Sequence, residues 1–211
     1  MKLLIEAHYL PCTSYFSKIL SYDEVIIESR ESFSKQTFRN RCRILGSNKV
    51  MNLVIPIKHT GSEIRQAEID YSQTWLKDHW RGITSSYGKT PYFEYYAEYF
   101  KEILLKKHQY LFDLNIDLMT LCLRLLKVNK ALTYTDVYET TVNDNIIDYR
   151  DIISPKNKSY NTDIVTSVRY SQAFGKDFVP GLSIIDLLFN HGINSVDLLK
   201  KQEEKNKETN N

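Results

Sequence analysis

Lys35, Thr37, Arg39, Arg41 and Arg43 alternate with Gln36, Phe38, Asn40, Cys42 and Ile44. A strand through 35–45 therefore places four cations on one face. Like charges sharing a strand face destabilise it unless something negative lies against them. Same-face positions sit about 7 Å apart, a spacing at which guanidinium forks hold two phosphates, or a phosphate and a carboxylate. Carboxylates of the protein itself, with Glu28, Glu68 and Asp70 the nearest at hand on neighbouring strands, satisfy the same charges. The residues leave both readings open. The ligand reading predicts an anion site of Lys35, Arg39, Arg41 and Arg43 for a phosphate- or carboxylate-bearing small molecule.

Such a site needs proton-transfer groups and walls. His79 is the acid/base expected here, with Glu28 and Asp70 either orienting the cations or acting as base. Tyr9, Trp80 and Tyr87 are expected to line the cleft. Trp75, His79, Ile83 and Tyr87 are each four apart and share a helix face, a pattern that core packing explains as well. His8 and Cys12 flank Tyr9-Leu10-Pro11. A Cys/His pair suits nucleophilic chemistry, and a thiol at a helix N-terminus is biased toward thiolate. Burial as a small apolar residue beside a core histidine is the plainer reading. The stripe Tyr92, Phe93, Tyr95, Tyr96, Tyr99 and Phe100 suits stacking of sugars or bases, or more simply a helix–sheet interface. Three cysteines without a CxxC pair and five histidines without HxH or HxxxH predict neither metal nor disulfide. No Gly-rich phosphate loop occurs, so no cofactor is expected.

The elements that must position these groups follow from local pattern. Leu3 to Leu10 predicts a buried strand ended by Pro11, and Thr13 or Ser14 caps a helix through Tyr15, Phe16, Ile19 and Leu20. Val25-Ile26-Ile27 is a short strand delivering Glu28. Gly46 to Lys49 is a turn, and Met51 to Ile55 is the return strand of a hairpin. Ile64 to Asp70 predicts a further strand. A helical period then takes over from Trp75 to Tyr87, a second helix starts at Thr90-Pro91, and a third runs from about Asn115 to Leu126. Residues 129–168 are polar and turn-rich, with Ile146-Ile147 and Ile152-Ile153 as apolar footholds. Ser183 with Asp186 resembles a capping box opening a helix that Gly192 stops, followed by a short helix near Val196 to Lys200. The fold class is α+β: a β-rich N-terminal half, helices packed on it, and a partly irregular, helix-ended C-terminal arm. One domain is expected over 1–199, with a disordered charged tail over 200–211.

A formal net charge of +2 is too small for nucleic-acid binding, so position and not total carries the cationic character. No signal peptide and no apolar run of about 20 residues is evident, which predicts a cytoplasmic protein without membrane insertion.

In their order these residues resemble the WbqC-like protein family. The likeness rests on Tyr9-Leu10-Pro11 with Tyr15-Phe16 and Lys18, Val25 to Glu28, Lys35 to Arg41, and Val54 to Ile57. It continues in Asp70, Trp75, His79-Trp80, Tyr87 and Thr90 to Phe93, then Asp148 to Arg150, Ser154 to Lys156 and Leu182 to Asn190 with Gly192. Ser29-Arg30 stands where other members carry an acidic pair. The resemblance implies a setting in surface-polysaccharide (O-antigen) biosynthesis. It also implies a transferase acting on an anionic sugar or an acyl or amino-acid donor. A non-catalytic binding or scaffold protein of polysaccharide assembly is the competing expectation.

Overall fold

The computed structural model describes residues 1–157 and 168–209, with side chains as far as Lys205. Four short strands make a parallel sheet: β1 (Lys2–Glu6), β2 (Glu24–Glu28), β7 (Leu132–Tyr134) and β8 (Ile146–Asp148), in the order β7-β2-β1-β8. The β1–β2 pairing sets Lys2 opposite Glu24 and Glu6 opposite Glu28, while Leu4 faces Asp148 of β8 and Ile27 faces Tyr134 of β7. Leu3, Leu4 and Ile5 are all buried, as a central parallel strand covered on both faces requires. Because all four strands run one way, their carboxyl ends share a single edge of the sheet. That edge carries Glu6, Glu28 and Asp148.

The crossover from β1 to β2 contains α1 (Thr13–Leu20), whose Tyr15, Phe16 and Ile19 are buried. The expected hairpin is present as β3 (Arg41–Leu45) and β4 (Val50–Val54), with Arg41 opposite Val54 and Arg43 opposite Asn52. A second, shorter antiparallel pair is β5 (Ile57–His59) with β6 (Glu68–Ile69). Helices α2 (Trp75–Tyr87), α3 (Phe93–Leu105) and α4 (Leu111–Leu125) follow, then α5 (Ile184–His191) and α6 (Ser195–Thr209). Among the described residues no helix is long and apolar enough to cross a membrane.

Four expectations are corrected. The basic segment is not one strand, since residues 35–40 are turns, Gln36 has φ +61° and the strand begins only at Arg41. The first strand ends at Glu6, after which Leu10 turns the chain with φ +43°. Residues 64–70 hold a 3-10 turn over Ile64–Gln66 before the two-residue β6. The charged tail continues as helix through Thr209, because Gln202 and Glu203 are buried and Lys18 pairs with Glu203 at 3.1 Å. In addition, the polar stretch after Asn129 supplies both outer strands of the sheet. The part of the expected irregular arm over 158–167 lies outside the described residues, as do 210–211 of the tail.

Gly192 closes α5 at φ +57°, and a Cβ built there would lie 2.4 Å from the Tyr92 ring. Backbone strain and steric overlap therefore act together. Gly192→Ala is expected to cost about 2–4 kcal/mol, read as a lower urea midpoint at unchanged slope.

Candidate functional site

The turn segment before β3 threads across the carboxyl end of β1. Phe38 O accepts from Tyr9 N at 3.0 Å, Asn115 Nδ2 donates to Arg39 O at 2.8 Å, and Asn40 Nδ2 donates to Ile55 O at 2.8 Å. These bonds turn Arg39 inward, where it is 1% exposed. Its guanidinium forks onto Glu31, with Nε 2.8 Å from Oε1 and Nη2 on Oε2, and Nη1 reaches Asp151 Oδ1 at 3.0 Å. Asp151 N donates to both oxygens of Glu6 at 3.2 and 3.3 Å, and Glu6 accepts from His8 Nε2 at 2.9 Å. Burial acts to raise the Glu6 carboxyl, but His8 and Arg39 outweigh it and hold Glu6 below the usual carboxylate range. Burial also pushes Glu31 up to about 7, despite the opposing pull of Arg39. Every nitrogen of the Arg39 guanidinium is therefore committed inside the fold.

A parallel chain of ions lies beside it. Glu28 Oε2 accepts from Arg150 at 2.9 Å, and its Oε1 accepts from Arg30 N at 2.8 Å and Thr135 Oγ1 at 2.6 Å. Arg150 also forks onto Asp148, whose carboxyl it holds below the usual range. Both oxygens of Glu28 are thus engaged, and the residue is fully buried. Asp70 is likewise committed: it accepts from Ser72 N and Oγ and from Gln73 Nε2, a local turn leading into α2. Those bonds, Ser72 foremost, lower its pKa, and no ion pair links it to the basic segment.

His79 is buried, with both ring nitrogens hydrogen-bonded. Nε2 lies 3.1 Å from Val54 O, and a carbonyl only accepts, so Nε2 carries the proton and Nδ1 accepts from Tyr9 Oη at 3.0 Å. Burial drops its pKa to about 4. The face of α2 that carries it packs on the hairpin, where a Cβ on Gly82 would sit 3.5 Å from Leu53 and 3.7 Å from Ile44. Tyr87 is equally buried, its hydroxyl accepting from Leu45 N at 3.2 Å. Trp80 lies elsewhere, in a groove with Leu76, Lys101 and Leu104. Lys35 is exposed among the turns.

Arg41 and Arg43 keep the arrangement expected of them. They share one face of β3 and line a small pocket with Tyr9, Leu10, Pro11, Cys12, Phe38, Gly181 and Ser183. Its volume of about 10 Å³ accommodates roughly one water. Neither arginine meets a carboxylate among the described residues, and Arg41 Nε is buried without a partner. Cys12 occupies the N-cap position of α1, where Thr13 or Ser14 was expected. The rim is pinned from the C-terminal arm: Ser183 N donates to Arg43 O at 2.8 Å, Ile184 N to Pro11 O at 2.8 Å, and Ser183 Oγ to Leu10 O at 2.8 Å. Those bonds hold Leu10 at its left-handed φ, a strained state for a leucine. One turn on, Asp186 does not close a capping box. It is fully buried, with Oδ2 accepting from Tyr170 at 2.8 Å and Gln172 at 3.3 Å, and burial raises it to about 6.

The joining of Glu6, His8, Glu31 and Asp151, and of Asp186 with Tyr170, escaped sequence reasoning, although His8 was legible as a core histidine. Their signal was positional: strand ends become neighbours only once the sheet is known to be parallel.

A parallel sheet with charged strand ends, flanked by a basic hairpin and a helical cap, defines a mixed α+β protein. The chain belongs to the WbqC-like protein family, whose model matches residues 6–160 and 156–198. It is 28% identical to "Uncharacterized protein Rv1507c" of Mycobacterium tuberculosis (strain ATCC 25618 / H37Rv), over 93% of this chain and 96% of that protein. No solved structure is a significant match.

Two outcomes follow from the buried ions. Arg39→Ala strands Glu31 and is expected to cost about 3–5 kcal/mol in denaturant unfolding, part of which Arg39→Met with Glu31→Leu restores. His79 is depressed in the folded chain, so below about pH 6.5 the unfolded chain binds the extra proton. Its contribution, about 3 kcal/mol, is complete above that pH and is lost as pH falls toward 4; His79→Gln should flatten this part of the stability–pH curve.

Proposed function

We propose that this WbqC-like protein is a transferase of surface-polysaccharide biosynthesis whose donor carries a phosphate or carboxylate, the anion resting against Arg41 and Arg43 at the mouth of their pocket, which itself holds about one water. The observation that carries the reading is the contrast between arginines two residues apart. Arg39 is saturated by Glu31 and Asp151, whereas Arg41 and Arg43 face a pocket and meet no carboxylate among the described residues. Buried or half-buried guanidinium groups without an anion favour taking one from solution. The N-terminus of α1 behind Cys12 adds dipole of the same sign. Strain at Leu10, held by the C-terminal arm, fits a loop whose shape serves a ligand.

In this reading His79, Glu28 and Asp70 are supports and not proton carriers. Asp186, fully buried and bonded to Tyr170 and Gln172, is a support of the same kind. A second reading, a binding protein without turnover, is favoured by one observation: each of the three acid/base groups expected from sequence is tied up in hydrogen bonds.

Calorimetry with nucleotide-sugars and with acyl and aminoacyl donors separates the cases. Arg41→Ala and Arg43→Ala should each weaken donor binding about tenfold, roughly 1.4 kcal/mol, and Lys35→Ala should not. Binding unchanged in both arginine variants overturns the site. Turnover of a bound donor by the wild-type protein supports the enzyme; donor binding without turnover supports the second reading.

A further inference from the structure

A separate cavity of about 510 Å³ lies between the end of α4 and the outer strand β7. It shares no lining residue with the Arg41–Arg43 pocket. Arg124, Lys127 and Lys130 line it, and no carboxylate does among the described residues. The carbonyl end of α4 supplies about half a negative charge, which offsets one of these cations at most. The lining is therefore cationic, with Asp113 and Asp117 acting on its Tyr134 end from outside it. Lys130 is positioned by donating to Tyr22 O. Arg124 lies over the Tyr99 ring at 5.5 Å from its centroid, on the side it shares with a neighbouring depression that Glu102 and Asp117 also line. Thr120 and Asn129 add polar groups to the wall.

The rest of the lining is of another kind. Leu123, Val128 and Leu132 form an apolar floor, and Tyr134, 40% exposed, presents an aromatic ring at the β7 end. Arg65 sits 5.6 Å from that ring, adding a further cation beside it. A bare phosphate would use the cations and leave the floor and ring unoccupied. The volume lies within the range of about 300–1,000 Å³ typical of small-molecule sites. A ligand with several phosphate charges at one end and a flat, partly apolar ring at the other uses both halves.

We infer that this cavity is a binding site for a nucleoside polyphosphate, its phosphates on Arg124, Lys127 and Lys130 and its base against Tyr134 and the Leu123–Val128–Leu132 floor. The site is independent of the donor pocket proposed above. Lysine and arginine act there as point charge and fork, so affinity falls with salt as well as with charge removal.

The test is calorimetric titration of the full chain with ADP, tripolyphosphate and adenosine at low salt. ADP should bind more tightly than either fragment. Arg124→Ala with Lys127→Ala should weaken ADP at least tenfold, and Tyr134→Ala should weaken ADP but leave tripolyphosphate unchanged. Both sets lie on the exposed surface, and an unchanged melting temperature establishes that the fold is intact. Arg41→Ala with Arg43→Ala should leave this ADP site as it is. The inference is overturned by no ADP binding, by ADP binding no better than tripolyphosphate, or by loss of ADP only in the Arg41 and Arg43 variants.

Discussion

The interaction on which most else depends is the buried fork of Arg39 on Glu31. A guanidinium at 1% exposure is tolerable only with its anion in place, so the fork fixes where the turn 35–40 must run. That path carries Phe38 O to Tyr9 N and Asn40 to Ile55, which in turn set the start of β3 at Arg41. Asp151 then joins the same ion to Glu6 at the end of the central strand and, through its backbone, draws the segment after β8 over the sheet edge. Four stretches distant in sequence meet on a single charge.

The same fork divides the basic segment into two kinds of arginine. Arg39 is used up as structure, and its removal is costly because of the carboxylate it would leave behind. Arg41 and Arg43, one and two steps along the strand alternation, emerge on the pocket side with backbone support from Ser183. Chemical identity and near-identical sequence context thus give opposite roles, decided by which anion lies within reach.

Much of the architecture was legible from local pattern. The stripe Trp75, His79, Ile83, Tyr87 with Gly88 after it marks α2 to the residue, and the hairpin turn at Gly46 to Lys49 marks β3 and β4. The edge strands β7 and β8 were not legible, because three residues carry too little period to distinguish strand from turn. Nor was the direction of the sheet, which decides that Glu6, Glu28 and Asp148 are neighbours. The alternation at 35–45 misled for a physical reason: a period of two fits the residue types, but hydrogen bonds from Asn115 and Tyr9 and the pull of Glu31 outweigh the strand preference before Arg41. Of the site, the arginines and Tyr9 were visible as residues. Their separation into a committed ion and two open ones depends on Glu31 and Asp151, which no spacing connects to them.

The pinning of the first loop by Ser183 and Ile184 has a consequence for how the molecule comes into being. The Leu10–Cys12 turn leaves the ribosome early, yet the groups that hold its strained shape are made some 170 residues later. Contacts of such long sequence separation form late, after local helices and the hairpin. During synthesis the chain therefore carries both arginines long before it has a pocket for them. The emergence of the C-terminal arm is the event that closes the pocket rim on a scaffold already folded.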